Sequence, residues 1–309
     1  SRNGEKMERN GEILTHVTQK DIELLKTNPN RFWRGIKEIG YRDGKHGKFG
    51  LTGAFCCADI ENIEIPEGVN SIGLCAFAKC DKLKAITFPN TLQNINSNAF
   101  QMCCALENVV IPENVDFIGV NCFYGCNGLK SALLPKDIKK IGQGAFAFCE
   151  ELEEIEIPEG VTMIEAKTFE NCKSLRKIKL PKSLEVIDEK AFYNCCTLEE
   201  IEIPESVRGI CDYAFYGCKN LKKLVLPKNL VWVGENAFAK CDKVGIDVPE
   251  KVMRTYRNEF LGCDCKIIKM TDEEKRLDEE LRANKFYALK ADSRNLEWCE
   301  QKDSDGGRI

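Results

Sequence analysis

The sequence predicts a right-handed solenoid of about ten short coils with one parallel β-sheet, a non-repeat N-terminal cap and a helical C-terminal segment. Three columns of recurring residues predict this fold, because one residue type returns at a fixed step only in a repeat array. Prolines recur at intervals of 23 residues seven times and then 22. The prolines are Pro66, Pro89, Pro112, Pro135, Pro158, Pro181, Pro204, Pro227 and Pro249. At the same step come a phenylalanine, from Phe77 to Phe260, and three residues later a cysteine, from Cys80 to Cys263, with Cys57 one repeat earlier.

One repeat unit explains why the coils must stack. Leu152 to Cys172 reads LEEIEIPEGVTMIEAKTFENC. The segment L-x-x-I-x-I alternates as a short strand does, and Pro158 ends it. A unit this short cannot bury its own apolar face, so neighbouring units must stack, with their strands paired in parallel about 4.8 Å apart.

The complete pattern, L-x-x-I-x-I-P-x-x-V-x-x-I-x-x-x-A-F-x-x-C, resembles the BspA-type leucine-rich repeat. The resemblance covers roughly Phe55 to Cys263, and it makes the expected fold a leucine-rich-repeat solenoid. Members of that family are mostly surface or secreted proteins of anaerobic bacteria and some protists. The resemblance therefore implies cell adhesion or protein binding, and it supplies no catalytic residues.

The two ends of the chain depart from the repeat. We expect residues 1–50 to form an N-terminal cap, residues 51–266 the solenoid, and residues 267–309 a helical C-terminal segment with a disordered tail. Thr18 and Asp21 predict the start of a short helix through an imperfect capping box. Terminal units of an array must cover its exposed core. The apolar residues expected to do so at the N-terminus are Phe32, Trp33, Ile36, Ile39 and Tyr41.

At the C-terminal end, Thr271 and Glu274 predict the start of a charged helix over residues 271–291. Apolar residues farther along are expected to dock on the last coil. They are Phe286, Tyr287, Leu289, Leu296 and Trp298.

Charge and hydropathy exclude several partner classes. The 45 basic and 49 acidic residues leave a net charge of −4, so no electropositive field predicts nucleic-acid binding. No apolar run approaches the roughly 18–20 residues that direct membrane insertion requires. Localisation has two interpretations. The family resemblance favours the cell surface or secretion, whereas many free thiols and the lack of a visible signal favour the cytoplasm.

The 18 cysteines indicate a structural role in the core more than a catalytic or metal-binding role, because ten of them occupy one column of the repeat. We expect a buried ladder of free thiols acting as small hydrophobic side chains. Cys56–Cys57, Cys103–Cys104 and Cys195–Cys196 are adjacent pairs, but neighbours in an extended segment point to opposite faces. A thiol nucleophile would need a histidine base, and both histidines, His16 and His46, precede the repeats. The sequence predicts no catalytic residue, no cofactor and no metal site.

Function must therefore lie on positions that the repeat leaves variable. Five residues before each proline, the charge alternates without a break, which predicts a 46-residue pair as the true unit and opposite charges side by side in the stack. These residues are Glu61, Lys84, Glu107, Lys130, Glu153, Arg176, Glu199 and Lys222. The outward strand positions are neutral and partly apolar in the first half and charged in the second. The candidate contact residues on that neutral half are Thr87, Asn108, Val110, Ser131 and Leu133, and Tyr124, Tyr193 and Tyr216 form a second candidate column.

Two function hypotheses follow. The first is a non-catalytic binding module, adhesin-like or scaffold, whose partner is a protein or alternatively a glycan. The second is an intracellular structural protein that assembles through its C-terminal helix.

Overall fold

Each repeat forms one coil of a parallel solenoid in the computed structural model, which describes residues 8–10, 13–40, 53–241, 244–269, 271–273 and 275–276. The solenoid has about nine turns, close to the number that the prolines predict. Most coils contribute two short strands joined by turns, whereas the coil of Pro204 forms only an isolated bridge, from Glu200 to Lys223, in place of its first strand. The leucine-rich-repeat solenoid expected from the sequence is confirmed.

The first ladder of strands lies before the repeated prolines. In β12, for example, Glu154 and Glu156 are exposed and Ile155 is buried, as the sequence alternation predicts. Ile155 pairs in parallel with Ile178 of the next coil. The strands of this ladder are β4 (Asn62–Glu64), β6 (Ala85–Thr87), β8 (Asn108–Val110), β10 (Ser131–Leu133), β12 (Glu154–Glu156), β14 (Lys177–Lys179), β17 (Lys223–Val225), β19 (Gly245–Pro249) and β20 (Asp264–Ile268).

A second parallel ladder follows the prolines, so the prediction of one parallel sheet was incomplete. Its strands in the repeats are only two residues long, too short for an alternation to show in the sequence. Each contributes an inward residue such as Ile164, which pairs in register with Ile187 of the next coil. The strands are β3 (Glu38–Ile39), β5 (Ser71–Ile72), β7 (Asn94–Ile95), β9 (Phe117–Ile118), β11 (Lys140–Ile141), β13 (Met163–Ile164), β15 (Val186–Ile187), β16 (Gly209–Ile210) and β18 (Trp232–Val233).

The core runs through the solenoid as a continuous stack of phenylalanine rings from Phe55 to Phe260. Successive ring centroids are 4.8–5.8 Å apart and the interplanar angles are 4–17°. Such nearly parallel rings are the direct consequence of repeating one side chain at one position of every coil. The buried leucine and isoleucine columns flank this stack.

The N-terminal segment covers the first coil, as the sequence predicts. β1 (Glu8–Asn10) and β2 (Ile13–His16) are antiparallel, and β2 pairs in parallel with β3. α1 (Gln19–Thr27) begins with a complete capping box between Thr18 and Asp21, and α2 (Pro29–Trp33) follows it. Phe32 and Trp33 are buried, with ring centroids 6.0 and 6.1 Å from that of Phe55. Ile36 and Ile39 are also buried, and Tyr41 lies outside the described residues.

The C-terminal coils contain helix that the repeat pattern does not predict. α3 (Glu250–Tyr256) and a 3-10 turn (Arg257–Phe260) separate β19 from β20. Of the helix predicted over 271–291, the described residues 272–273 and 275–276 are helical. The amide of Lys275 donates to the carbonyl oxygen of Thr271 at 3.0 Å. The remainder of that segment and the five apolar residues predicted to dock lie outside the described residues.

Candidate interaction surface

The neutral strand face of the early coils is built from exposed residues on β6, β8 and β10. Val110 pairs in register with Leu133 on the neighbouring strand. Because each strand points its central residue inward, its two outer residues face solvent, and Val110 and Leu133 are 60% and 64% exposed. Thr87 is the exposed residue of the same column on β6. Adjoining exposed apolar side chains on one face make this part of the sheet a candidate contact surface.

Polar side chains flank the apolar pair. Asn108 and Ser131 occupy the other outer positions of β8 and β10, and the Ser131 hydroxyl donates to Asn108 Oδ1 at 2.7 Å. This contact uses one lone pair of the amide oxygen, and both side chains are exposed. The structure thus places Thr87, Asn108, Val110, Ser131 and Leu133 together, and this set is called the neutral patch below.

Ion pairs border the neutral patch. Lys84 Nζ lies 3.0 Å from a carboxylate oxygen of Glu61, and Lys130 Nζ lies 3.7 Å from one of Glu107. All four side chains are about half exposed, so each pair contributes about 0–1 kcal/mol to folding. Opposite charges thus lie side by side in adjacent coils, as the alternation in the sequence predicts, and they adjoin the neutral patch.

The later coils present charge at the same positions. Lys179 Nζ lies 2.5 Å from Glu156 Oε1, and Lys223 Nζ lies 3.8 Å from Asp247 Oδ2. Val225 interrupts this half, since it occupies the column of Val110 and Leu133 and is 45% exposed. A single apolar side chain among paired charges lacks the apolar neighbour that Val110 and Leu133 provide for each other.

The tyrosine column lies on a different segment of the coil, the turn after the phenylalanine. The rings of Tyr193 and Tyr216 stack with centroids 4.8 Å apart and planes 3° apart. Lys240 Nζ lies 5.5 Å from the centroid of the Tyr216 ring. The facing sides of these rings are therefore covered by each other, and one outer side contacts a lysine.

Two further aromatic residues join these turns, and the sequence reasoning missed both. Phe148 lies 5.2 Å from Tyr124, and Tyr213 lies 5.7 Å from Tyr216, between ring centroids. Tyr124 and Tyr216 are thus in separate aromatic clusters. Phe148 and Tyr213 occupy positive-φ positions of the turn, where the repeat pattern carries no aromatic signal.

The cysteine ladder is buried and hydrogen-bonded. Cys149 Sγ lies 3.2 Å from the carbonyl oxygen of Phe123 in the preceding coil, and the same contact recurs from Cys80 to Cys241 at 2.9–3.2 Å. Burial raises the pKa of the Cys149 thiol well above its usual range. Thiols that stay protonated are poor nucleophiles and poor ligands, so these side chains fill the core and satisfy a carbonyl group.

Cys57 does not belong to this ladder, contrary to the prediction from spacing. The ring of Phe55 stacks on that of Phe77. The amide of Ala58 donates to the carbonyl of Phe55 at 2.9 Å, as the amide of Cys80 does to Phe77 at 3.2 Å. Ala58 therefore occupies the ladder position of the first coil. Cys57 lies one residue earlier and is exposed, because the ladder positions of the first two coils, Ala58 and Cys80, are 22 residues apart and not 23.

Among the described residues, no group of three or more histidine, cysteine, aspartate or glutamate side chains is arranged to hold a metal ion. No helix in the same part of the chain is long and apolar enough to cross a membrane.

Comparison with known proteins places the repeats in a described family. A family model for the BspA-type leucine-rich repeat region matches residues 52–176 and 139–268, with six copies. A leucine-rich repeat protein from T. pallidum has a similar solved structure, with 34% sequence identity, 48% of this chain and 69% of that chain covered, and a TM-score of 0.45.

Two other solved structures are similar at lower identity. A leucine-rich repeat protein from Bacteroides ovatus is 21% identical over 76% of this chain and 88% of its own, with a TM-score of 0.38. The pneumococcal vaccine antigen PcpA is 21% identical over 69% of this chain and 68% of its own, with a TM-score of 0.41. No curated protein matches the sequence. The family match spans every coil that carries the neutral patch.

Proposed function

Because the chain belongs to the BspA-type leucine-rich repeat family, we propose that it is a non-catalytic binding module, adhesin-like or scaffold, which holds a protein partner on the neutral patch. The family match supports an interaction function in general terms. The exposed side chains of the neutral patch support a protein partner at this surface.

The observation that carries the proposal is the exposure of Val110 and Leu133 side by side. Binding energy concentrates in apolar anchors that a partner can desolvate, surrounded by polar groups that exclude water. Val110 and Leu133 supply the anchors, Asn108 and Ser131 supply hydrogen-bonding groups, and the Glu–Lys pairs supply the border. An open strand face of this kind suits an extended peptide or a protein surface better than a small metabolite, which usually binds in a concave cavity.

The proposal is tested on the full-length protein. A pull-down identifies the partner, and its affinity is then measured for the wild type and for the Val110→Glu, Leu133→Lys double variant. We expect the double variant to lose at least about 10-fold in affinity, because both anchors become charged. Its melting temperature should stay within about 2 °C of the wild type, since both side chains already face solvent.

Val225→Glu is the matched control, because Val225 occupies the same column in the charged half of the sheet. It should leave the affinity unchanged. Undiminished affinity in the double variant, together with a loss in Val225→Glu, would move the site to the later coils. A pulled-down glycan in place of a protein would overturn the choice of partner class.

A further inference from the structure

Cys56 and Cys57 form an exposed pair of thiols at the start of the solenoid. Their sulfur atoms are 3.6 Å apart. Cys57 is exposed and Cys56 is half-buried. Two adjacent residues of an extended segment point to opposite faces, but Cys57 has a φ of 61°, and this left-handed turn brings the two thiols to the same side.

The turn that carries the two thiols is held by its neighbours. The amide of Cys56 donates to the carbonyl of Gly53 at 3.1 Å, and the amide of Cys57 donates to the carbonyl of Ala78 in the next coil at 2.9 Å. A ligand that engages both thiols therefore meets a backbone that is already ordered, which reduces the entropy lost on binding.

The other two adjacent cysteine pairs are arranged differently. Cys103 and Cys195 belong to the ladder and are buried, with their sulfur atoms 3.1 Å from the carbonyl oxygens of Phe77 and Phe169. Their partners, Cys104 and Cys196, instead contact backbone carbonyl groups of the surface turns. The same dipeptide thus yields one inward and one outward thiol in these coils. In the first coil Ala58, not Cys57, occupies the ladder position, and both thiols of the dipeptide therefore face outward.

We propose that Cys56 and Cys57 form a bidentate site for a thiophilic divalent metal ion, Zn²⁺ or a softer ion such as Cd²⁺. A tetrahedral zinc ion with Zn–S bonds of about 2.3 Å holds its sulfur ligands about 3.8 Å apart. The observed 3.6 Å separation needs only a small rotation of the side chains to reach that value. On binding, both S–H bonds lose their protons to solvent, two metal–sulfur bonds form, and the oxidation state of the metal is unchanged.

The two thiols occupy only part of the coordination shell of the ion. Because no third protein ligand completes a cluster within the described residues, we expect water to fill the other coordination positions. The ion should accordingly exchange readily, unlike an ion held by four protein ligands.

The test uses Cd²⁺ as the probe on the reduced, full-length protein. Calorimetry and the thiolate-to-cadmium charge-transfer absorption should both report one equivalent bound at neutral pH. Cys56→Ser and Cys57→Ser should each weaken this binding by at least about 10-fold, because a chelate becomes a single thiolate. Affinity should fall by about 10- to 100-fold for each pH unit lowered, since up to two protons compete with the metal.

Cys104→Ser and Cys196→Ser are the matched controls, each removing one surface thiol from a Cys–Cys dipeptide. They should leave the stoichiometry and the absorption unchanged. The proposal fails if Cys57→Ser binds Cd²⁺ as the wild type does, or if Cys104→Ser loses as much affinity as Cys57→Ser. A circular dichroism melt of each variant separates loss of the site from loss of the fold.

Discussion

The thiol of Cys149 lies 3.2 Å from the carbonyl oxygen of Phe123 in the preceding coil and donates a hydrogen bond to it. Cys149→Ala should lower the free energy of unfolding by about 1–2 kcal/mol, because buried volume and one hydrogen bond are lost. Cys149→Ser should cost no more than this, since a hydroxyl finds the same acceptor. Without that acceptor, a buried hydroxyl would make serine the worse substitution. Denaturant unfolding measures the free energy of unfolding of both variants. A serine variant that is less stable than the alanine variant by about 2 kcal/mol or more contradicts the prediction.

The buried thiols also predict instability in alkali. The pKa of Cys149 is raised in the folded state, whereas in the unfolded chain a thiol deprotonates near pH 8.5. Above that pH the unfolded state binds fewer protons than the folded state, so the stabilisation is present below pH 8.5 and is lost as the pH rises. The loss is about 1.4 kcal/mol per pH unit for each such thiol. The wild type and Cys149→Ala should therefore become equally stable near about pH 10.

The control for this pH dependence is Val161→Ala, which removes buried side-chain volume without a titrating group. Its stability deficit should stay constant between about pH 7 and pH 10. Unfolding curves for the three proteins across that range supply the measurement. A deficit of Cys149→Ala that does not shrink as the pH rises would show that the ladder thiols titrate similarly in both states.

Two glycines that look alike in the sequence should respond oppositely to alanine. A Cβ atom on Gly142 would lie 2.7 Å from backbone atoms of Gly119 and Val120, whereas one on Gly209 would have Val186 Cγ1 as its nearest neighbour, at 4.0 Å. Gly142→Ala should destabilise by about 1–3 kcal/mol through overpacking. Gly209→Ala should stabilise by about 0.4–1 kcal/mol, because it restricts the unfolded chain. Thermal melts of the two variants test the contrast, and equal melting temperatures would contradict it.

The coil-to-coil charge contacts predict that the stable unit of deletion is a pair of coils. Glu107 pairs with Lys130 of the following coil. Removing residues 107–152 joins Leu106 to Glu153 and keeps the alternation, whereas removing residues 107–129 brings Lys130 beside Lys84. We expect the larger deletion to melt at the same temperature as the smaller one or higher, although it removes more of the core.

The charge contacts also involve the backbone. A carboxylate oxygen of Glu159 accepts from the amide of Lys182 in the next coil at 3.1 Å, and Glu205 does the same for Lys228 at 3.2 Å.

The melting temperatures of the two deletion variants test the role of the alternation. If the 23-residue deletion melts above the 46-residue deletion by more than about 3 °C, the alternation does not determine how the coils stack.

Much of this architecture can be predicted from the sequence because the repeat is regular. The interval between prolines determines the coil length, and the alternation in β12 determines which residues face solvent. The exposure of Val110 and Leu133 follows from the same alternation, so the neutral patch can be read from the sequence. The second ladder cannot be recognised, since the two residues of a strand such as β13 show no periodicity. The helix α3 also escapes prediction, because it interrupts the repeat in its last coils.

The sequence by itself determined the stacking direction, the core columns and the outward residues of the first ladder, because a parallel array places identical positions on top of one another. Only the tertiary structure decided what each thiol contacts. Spacing assigns Cys57 to the same column as Cys149, yet Cys149 is buried against a carbonyl group and Cys57 is exposed beside Cys56. The physical reason is that backbone hydrogen bonds between coils set the register of the first coil, and a shift of one residue moves a side chain from the core to the surface.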